Sequence, residues 1–267
     1  MDAGNGQKLE RWGDQITIRP DRNAYFSPVW SWQKWLDTAD FLFEEETHTK
    51  GNWKKLNANA KEDWQIHYQG LTFNLQLTRF KHLGLFPEQR LNWDFILDEM
   101  KVGERFLNLF GYTGGASLAA RFAGAEVYHC DAVRQVNAWA KSNMLASGLS
   151  DIRWVLEDAL KFAQRELKRG RTYKGIIMDP PAYGMGAKKE RWKIEQKYSE
   201  LLAVASELCD RGGFVIMNTY SPKLPSKKIK QSLNELNKVS DAEVKTLSMK
   251  TTTGKVLDYG ELTRIWC

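Results

Sequence analysis

The chain has 267 residues, of which 42% are hydrophobic and 27% charged, with a formal net charge of +6. Such a composition fits a soluble globular protein with one sizeable core and room for a small extra domain. No apolar run approaches about 18 residues, which excludes a transmembrane helix, and the charge excess permits an RNA partner without demanding one.

In chain order, the polar, glycine-containing stretch Met1–Glu10 lacks the basic-then-apolar layout of a signal peptide. Ile16-Thr-Ile-Arg-Pro reads as a short alternating strand ended by proline. Asp21–Trp35 mixes aromatics with prolines and reads as loop, Thr38–Glu46 carries apolar and acidic residues, and Trp53–Leu56 is brief. Trp64-Gln-Ile-His-Tyr alternates strictly, and Gly70 turns the chain before Leu71-Thr-Phe-Asn-Leu-Gln-Leu, so this pair predicts a β-hairpin. Residues 1–80 therefore read as a small β-rich module, and residues 81–267 as a second domain. Pro87 suits the first turn of a helix running to about Met100, with Leu91, Phe95, Ile96 and Met100 on its apolar side.

Lys101–Asp131 organises the second domain. The apolar run Phe106–Phe110 is short enough for a buried strand. Gly111, Gly114 and Gly115 punctuate a tight turn, Ala116–Ala123 is helical, and Gly124 stops it. A second strand, Glu126–Cys130, ends on Asp131. Strand, glycine turn, helix, strand and acid are how a doubly wound sheet builds a nucleoside pocket. The glycines are expected to let the backbone approach the ligand, and the acid to accept from the ribose hydroxyls. The turn is not Gly-x-Gly-x-x-Gly, the pattern that seats a pyrophosphate on a helix N-terminus. A ligand without phosphate relaxes that requirement, which favours S-adenosylmethionine over NAD.

The alternation continues. Val133–Ser147 and Ala159–Arg169 predict helices, and Ile152–Leu156 and Lys174–Met178 strands. A helix follows at about Gln196–Asp210, a strand at Phe214–Asn218, a lysine-rich helix at Ser226–Val239, and closing strands at Glu243–Lys250 and Leu262–Cys267. Strands alternating with helices mean a mostly parallel sheet, and two successive strands at the end predict an antiparallel edge.

Three acids stand at strand ends. Asp131 is placed for ribose contact, or else as an N-cap for the helix beginning near Val133. Asp158 could receive an adenine amino group or cap its own helix. Asp179 opens Asp-Pro-Pro-Ala-Tyr-Gly after a buried strand, where ligands bind in open α/β sheets. Pro180 and Pro181 remove two amide donors, leaving acceptors toward the crevice, and Tyr183 could stack on a planar substrate. The bland alternative is a rigid proline loop without chemistry.

Phe106-Leu-Asn-Leu-Phe-Gly-Tyr-Thr-Gly-Gly, Asp131 and Asp179-Pro-Pro-Ala-Tyr resemble a class I S-adenosylmethionine-dependent methyltransferase. The resemblance is to the bacterial branch that includes the large-subunit rRNA cytosine-C5 methyltransferases and their uncharacterised relatives. Gly4-Asn-Gly-Gln-Lys-Leu-Glu-Arg-Trp-Gly and Gly84-Leu-Phe-Pro-Glu-Gln are similar to that branch too, so the resemblance covers nearly the whole chain. It implies an α/β, Rossmann-like seven-stranded methyltransferase sheet with the last strand antiparallel, beside the small N-terminal β-rich module. It also implies cofactor contacts from Asn108, Phe110, Gly111, Tyr112, Thr113, Gly114, Asp131, Ala132, Asp158, Ala159 and Asp179, with Phe86 and Gln89 closing over S-adenosylmethionine. Asp179, Pro180 and Tyr183 would form the catalytic group.

One departure matters. Cytosine-C5 methylation needs a thiolate to attack C6. In that family it follows the fifth strand, where this chain has Tyr220 and Ser221, and Asp179-Pro-Pro-Ala offers none. Cys130 and Cys209 lie in core-like segments, and Cys267 gives no metal-ligand spacing with them. The four histidines show no metal or triad spacing either, and His67 reads as structural. No metal is expected, and the unpaired cysteines suggest a reduced, cytoplasmic setting. Two basic runs, Lys188, Lys189, Arg191 and Lys193 around Trp192, and Lys223, Lys227, Lys228 and Lys230, begin at strand ends on the catalytic rim. They could hold RNA phosphates, although a charge run is more often a solvated helix face. The expected function is methyl transfer to an RNA base, with rRNA the leading substrate. A protein or small-molecule acceptor, a non-catalytic RNA binder and an NAD-dependent oxidoreductase are the rivals.

Overall fold

A computed structural model describes residues 1–47, 50–185 and 191–267, so Lys188 and Lys189 lie outside the described residues. The chain divides into two units, Met1–Phe86 with Ser248–Tyr259, and Pro87–Leu247 with Gly260–Cys267.

In the first unit, β1 (Asp2–Gly4), β2 (Gln7–Trp12), β3 (Gln15–Pro20), β4 (Phe41–Glu45) and β5 (Gly51–Lys55) form one sheet in that order. Helix α1 (Trp32–Thr38) carries the chain from β3 to β4, the parallel pair of this sheet. Leu9, Ile16, Ile18, Trp35 and Ala39 form the core between helix and sheet. β6 (Asp63–Tyr68) and β7 (Leu71–Gln76) make the expected hairpin, with Leu71, Phe73 and Leu75 buried in alternation.

Two expectations are corrected here. The loop reading of Asp21–Trp35 ends early, because Ser31 caps α1 by accepting from the Lys34 amide at 3.3 Å. β1 and β2 escaped sequence reading because part of their buried face is charged. Lys8 Nζ lies 3.1 Å from Glu10 and 3.0 Å from Asp21, and Arg19 pairs with Glu10. Burial pushes the Glu10 carboxyl up, but Arg19 and Lys8 outweigh it and hold it at about 2.

The second unit opens with a turn of 3-10 helix at Pro87–Gln89 that leads into α2 (Arg90–Glu99). It continues with β8 (Arg105–Leu109), α3 (Gly115–Phe122), β9 (Glu126–Asp131), α4 (Arg134–Ala146), β10 (Ile152–Leu156), α5 (Ala159–Lys168) and β11 (Tyr173–Met178). A small ribbon, β12 (Tyr183–Met185) and β13 (Arg191–Lys193), leads to α6 (Ile194–Leu208), β14 (Cys209–Thr219), α7 (Ser226–Leu233), β15 (Asp241–Lys250) and β16 (Val256–Trp266). The seven-stranded sheet has the order β10-β9-β8-β11-β14-β16-β15. Its first five strands are parallel and β16 runs antiparallel to β14. This is the Rossmann-like α/β sheet with an antiparallel last strand that the sequence implied. α7 stops at Leu233, short of the expected Val239, and β14 begins at Cys209 rather than Phe214.

Strands buried on both faces need continuous apolar runs. Leu107, Leu109, Ile176, Met178, Val215 and Met217 supply them, packed with Leu201 and Leu202 of α6. Among the described residues no helix is long and apolar enough to cross a membrane, and no three His, Cys, Asp or Glu side chains gather as a metal site.

Candidate active site

β8 is the strand from which the connections leave in opposite directions, toward β9 and toward β11. Such a switch point opens a crevice beyond the C-terminal strand ends. The turn after β8 holds two non-glycine residues in the left-handed region, Phe110 at φ 60 and Tyr112 at φ 48. Strain of this kind persists only where surrounding contacts over-determine it. Here Gly111 N–H donates to Cys130 O at 3.0 Å, Tyr112 N–H to Asp131 Oδ2 at 3.0 Å, and Gly114 N–H to Gly111 O at 3.0 Å. Asn143 Nδ2 donates to Thr113 O at 2.9 Å.

Two of the glycines have a packing reason of their own. A Cβ on Gly111 would lie 2.4 Å from His129 Cε1, and one on Gly115 would lie 2.7 Å from the Trp93 ring. These two glycines are required by protein side chains beneath the turn. Gly114 serves its conformation, at φ 91, as the residue before α3. Asn108 also lies beneath the turn. It is buried and donates to Ser117 Oγ at 2.9 Å, and Ser117 in turn meets His129 Nδ1 at 2.9 Å. Burial holds that imidazole neutral, its pKa pushed down to about 3.

Asp131 is not the N-cap of α4, whose capping position is Val133. Its two oxygens accept from Tyr112 N–H and, at 2.9 Å, Val133 N–H, so it ties the glycine turn to the end of β9. Burial raises its pKa and these amides oppose the rise. Ala132 beside it is exposed. Asp158 caps α5, accepting from Lys161 N–H at 2.9 Å through one oxygen. Ala159 packs into the core, so only its backbone can face a ligand.

Asp179 ends β11. Gln89 Nε2 donates to Asp179 Oδ2 at 3.1 Å and to Tyr220 Oη at 2.8 Å. Gln89 Oε1 accepts from Asn92 Nδ2 at 2.8 Å and Asn218 Nδ2 at 3.1 Å. Arg264 extends this network, donating to Asn92 Oδ1 at 3.2 Å while its guanidinium lies 4.2 Å over the Phe95 ring. The Gln89 amide thus has both hydrogens and both lone pairs engaged by protein. Its hydrogen bonds join Asp179 and Tyr220 to Asn92 and Asn218. Phe86 belongs to the N-terminal unit.

Asp179 Oδ1 is buried with no hydrogen-bond partner. Burial pushes the carboxyl up to about 7, the Tyr220 hydroxyl pulls it back, and the Glu88 carboxylate adds to the rise. Pro180 is buried, and Pro181 O accepts from Trp192 Nε1 at 2.7 Å, which fastens the β12–β13 ribbon to the proline loop. The Trp192 ring lies 5.4 Å from Phe110, and Tyr183 is 63% exposed with Lys193 5.9 Å over its ring. Sequence reasoning missed Asn92, Asn218 and Arg264. Their signal was polar side chains on otherwise apolar stretches, Asn92 three residues after Gln89 and Asn218 at the end of Phe214–Met217.

Of the three free thiols, Cys267 is half-buried and held below its ordinary range by its hydrogen bond with Cys209. Cys130 and Cys209 are buried, and burial raises the Cys130 thiol. Tyr220 stands after β14 with its own ionisation pushed well up by burial and by Asp179.

The turn fits a nucleoside ligand without phosphate. The amides of Gly111, Tyr112 and Gly114 are engaged by protein acceptors, so they cannot cradle a pyrophosphate, and Asp131 offers a carboxylate beside them. A family model described as S-adenosylmethionine-dependent methyltransferase matches residues 30–236. The solved S-adenosylmethionine-dependent methyltransferase from Agrobacterium tumefaciens is 33% identical, covering 100% of this chain and 89% of that one with a TM-score of 0.93. M. jannaschii TYW2, solved in complex with AdoMet, shares the fold at 13% identity and a TM-score of 0.56, over 97% of this chain and 98% of that one. The ribosomal RNA large subunit methyltransferase K/L of Shewanella frigidimarina is 30% identical over 63% of this chain and 23% of its own length. The chain spans about a quarter of the length of the curated relatives it matches. The shared seven-stranded fold and the extent of these matches agree: the chain belongs to the S-adenosylmethionine-dependent methyltransferases, enzymes that take their methyl group from that cofactor.

Proposed function

We propose that this enzyme methylates a nitrogen on a base of ribosomal RNA, with Asp179 receiving the acceptor. The observation that carries this reading is the buried, unpartnered Oδ1 of Asp179 at the mouth of the proline loop. An unsatisfied buried acceptor costs about 1–3 kcal/mol, so its retention points to a donor that arrives with the substrate. An exocyclic base amine is such a donor. The names of the curated relatives, rRNA large subunit methyltransferases, support the choice of RNA.

Cofactor contacts fall to Asp131 for the ribose and to the Phe110–Gly114 turn and Asp158 for the rest of the nucleoside. The sulfonium supplies an electrophilic methyl group, so the protein's work is alignment. Asp179 orients the amine; as the new N–C bond forms and the S–C bond breaks, the amine proton leaves to the carboxylate or to solvent. Tyr183 and Trp192 offer faces for the base, and the exposed Arg191, Lys223, Lys227 and Lys228 offer charge for the phosphates. The N-terminal unit, read from sequence as residues 1–80 and extending to Phe86 with Ser248–Tyr259, acts as an accessory module to the catalytic unit. The reading needs no cysteine at the acceptor: the position after β14 is Tyr220, and the thiols of Cys130 and Cys209 are buried. Ribosome maturation as substrate sets the location as cytoplasmic.

The test uses labelled S-adenosylmethionine and total RNA from cells lacking the gene, with nucleosides identified by mass spectrometry. The expected result is label in one rRNA nucleoside, on nitrogen, lost with Asp179→Ala. Cofactor binding without label in RNA would refute the RNA acceptor and move the search to proteins and small molecules.

A further inference from the structure

The N-terminal unit contains a cleft of about 370 Å³ whose walls include Trp30, Trp32, Trp35, Pro28, Gly4 and Gln7. Its architecture depends on Asp2, which is buried at the start of β1. The Asp2 carboxylate accepts from Trp30 N–H at 2.8 Å, Val29 N–H at 3.1 Å, the Trp35 indole N–H at 3.1 Å and the Thr253 hydroxyl at 2.7 Å. Burial pushes this carboxyl up, and the hydrogen bonds from Thr253, Trp30 and Trp35 outweigh it and hold it below its ordinary range. One carboxylate thereby fixes the Trp30 backbone and the Trp35 indole. Gly4 lets the loop lie close, since a Cβ there would stand 2.2 Å from Pro28 N.

The lining is chemically mixed. Trp32 is 47% exposed, with its ring 5.9 Å from that of Trp35. Lys34 Nζ lies 3.9 Å over the ring of the lining residue Trp30. Gln7 Oε1 is buried with no hydrogen-bond partner. Indole faces suit a flat π-system, the orphan oxygen needs an N–H donor, and the lysine suits an anion beside it. Every RNA base combines a π-face with an N–H on its Watson–Crick edge and a phosphate attached through the ribose. The volume falls within the usual range of small-ligand sites, about 300–1,000 Å³. A peptide segment would need an aromatic and an acidic side chain placed together to meet all three, whereas a single nucleotide carries its base and phosphate on one unit.

We propose that this cleft binds an unpaired nucleobase of the RNA substrate, stacked on Trp32 with its edge on Gln7 Oε1 and its phosphate by Lys34. The proposal rests on the reading that the substrate is RNA, and it adds a grip in the N-terminal unit that takes no part in methyl transfer. The test is fluorescence anisotropy of a labelled single-stranded oligoribonucleotide with the full chain, alongside Trp32→Ala and Gln7→Met. Trp32 is exposed, and melting curves establish that both variants fold. The expected result is single-strand binding by the unaltered chain that weakens about tenfold in each variant, with S-adenosylmethionine affinity unchanged. Equal binding by all three proteins, or no binding by any, overturns the proposal. RNA methylation at full rate with equal binding in the variants would sink this site alone; cleft-dependent binding without methylation would sink the catalytic reading alone.

Discussion

Asp179→Asn keeps the shape of the side chain and removes its charge. In the folded chain burial lifts this carboxyl to about 7, against an ordinary 3.8. That gap corresponds to at most about 4 kcal/mol. The sign follows from proton linkage. Below about pH 4 the group is protonated in both the folded and unfolded chain and contributes no difference. Between about pH 4 and pH 7 the unfolded chain releases its proton while the folded chain holds it, so stability falls as pH rises. Above about pH 7 the loss is complete. The asparagine variant escapes it, so it should melt higher than the unaltered chain near pH 8, by up to roughly 10 °C for a chain of this size. Near pH 4 the two should melt together, to within about 1 kcal/mol. Thermal melts followed by circular dichroism across that range read the effect, and methyl transfer should fall at least about a hundredfold in the variant. A melting difference independent of pH, or an unaltered chain that is the more stable near pH 8, would refute the argument that this carboxyl is held out of water.

Tyr220→Phe removes a hydroxyl that lowers the Asp179 pKa, so the acidic limb of the pH–rate profile should move to higher pH; an unmoved limb would separate Tyr220 from the reaction. Gly111→Ala places a Cβ 2.4 Å from His129 Cε1, and overpacking of that kind should cost about 1–3 kcal/mol or more in denaturant melts. Asp131→Ala frees the Tyr112 and Val133 amides, so calorimetry should find S-adenosylmethionine affinity lowered about tenfold to a hundredfold; unchanged affinity would remove Asp131 from the cofactor site. Cys130→Ala should retain methyl transfer, because the thiol is buried and donates to Glu157 O. Loss of transfer in that variant, with folding intact, would reinstate a thiol mechanism.

The parallel sheet was legible because its strands are buried on both faces and so keep continuous apolar runs, as in Ile176–Met178 and Phe214–Met217. β1 and β2 were illegible for the opposite reason: Lys8 and Glu10 occupy inward positions and satisfy one another through long-range ion pairs with Asp21 and Arg19, which no local pattern reveals. The acids at the strand ends could be located from sequence, but not their partners. The bond from Gln89 to Asp179 spans 90 positions, and that to Tyr220 spans 131. Nothing in the local sequence around Gln89 shows that both ends of its amide are engaged. Spacing alone singled out Gly111, but it could not reveal that His129 already fills the space a side chain there would need.

The segment Ser248–Tyr259 counts with the N-terminal unit although the whole of Pro87–Leu247 separates it from Phe86. Tyr259 donates to Asp21 and meets Lys8, and Thr253 donates to Asp2. During synthesis, therefore, the part of the protein that leaves the ribosome first lacks these hydrogen bonds until the hairpin of β15 and β16 has been made. Until then Asp2, Lys8 and Asp21 keep only the partners of their own segment, and the nascent N-terminal strands are less completely satisfied than in the finished chain. A fragment cut at Phe86 should accordingly show little fixed structure by circular dichroism, and adding back a peptide covering Ser248–Tyr259 should restore part of it.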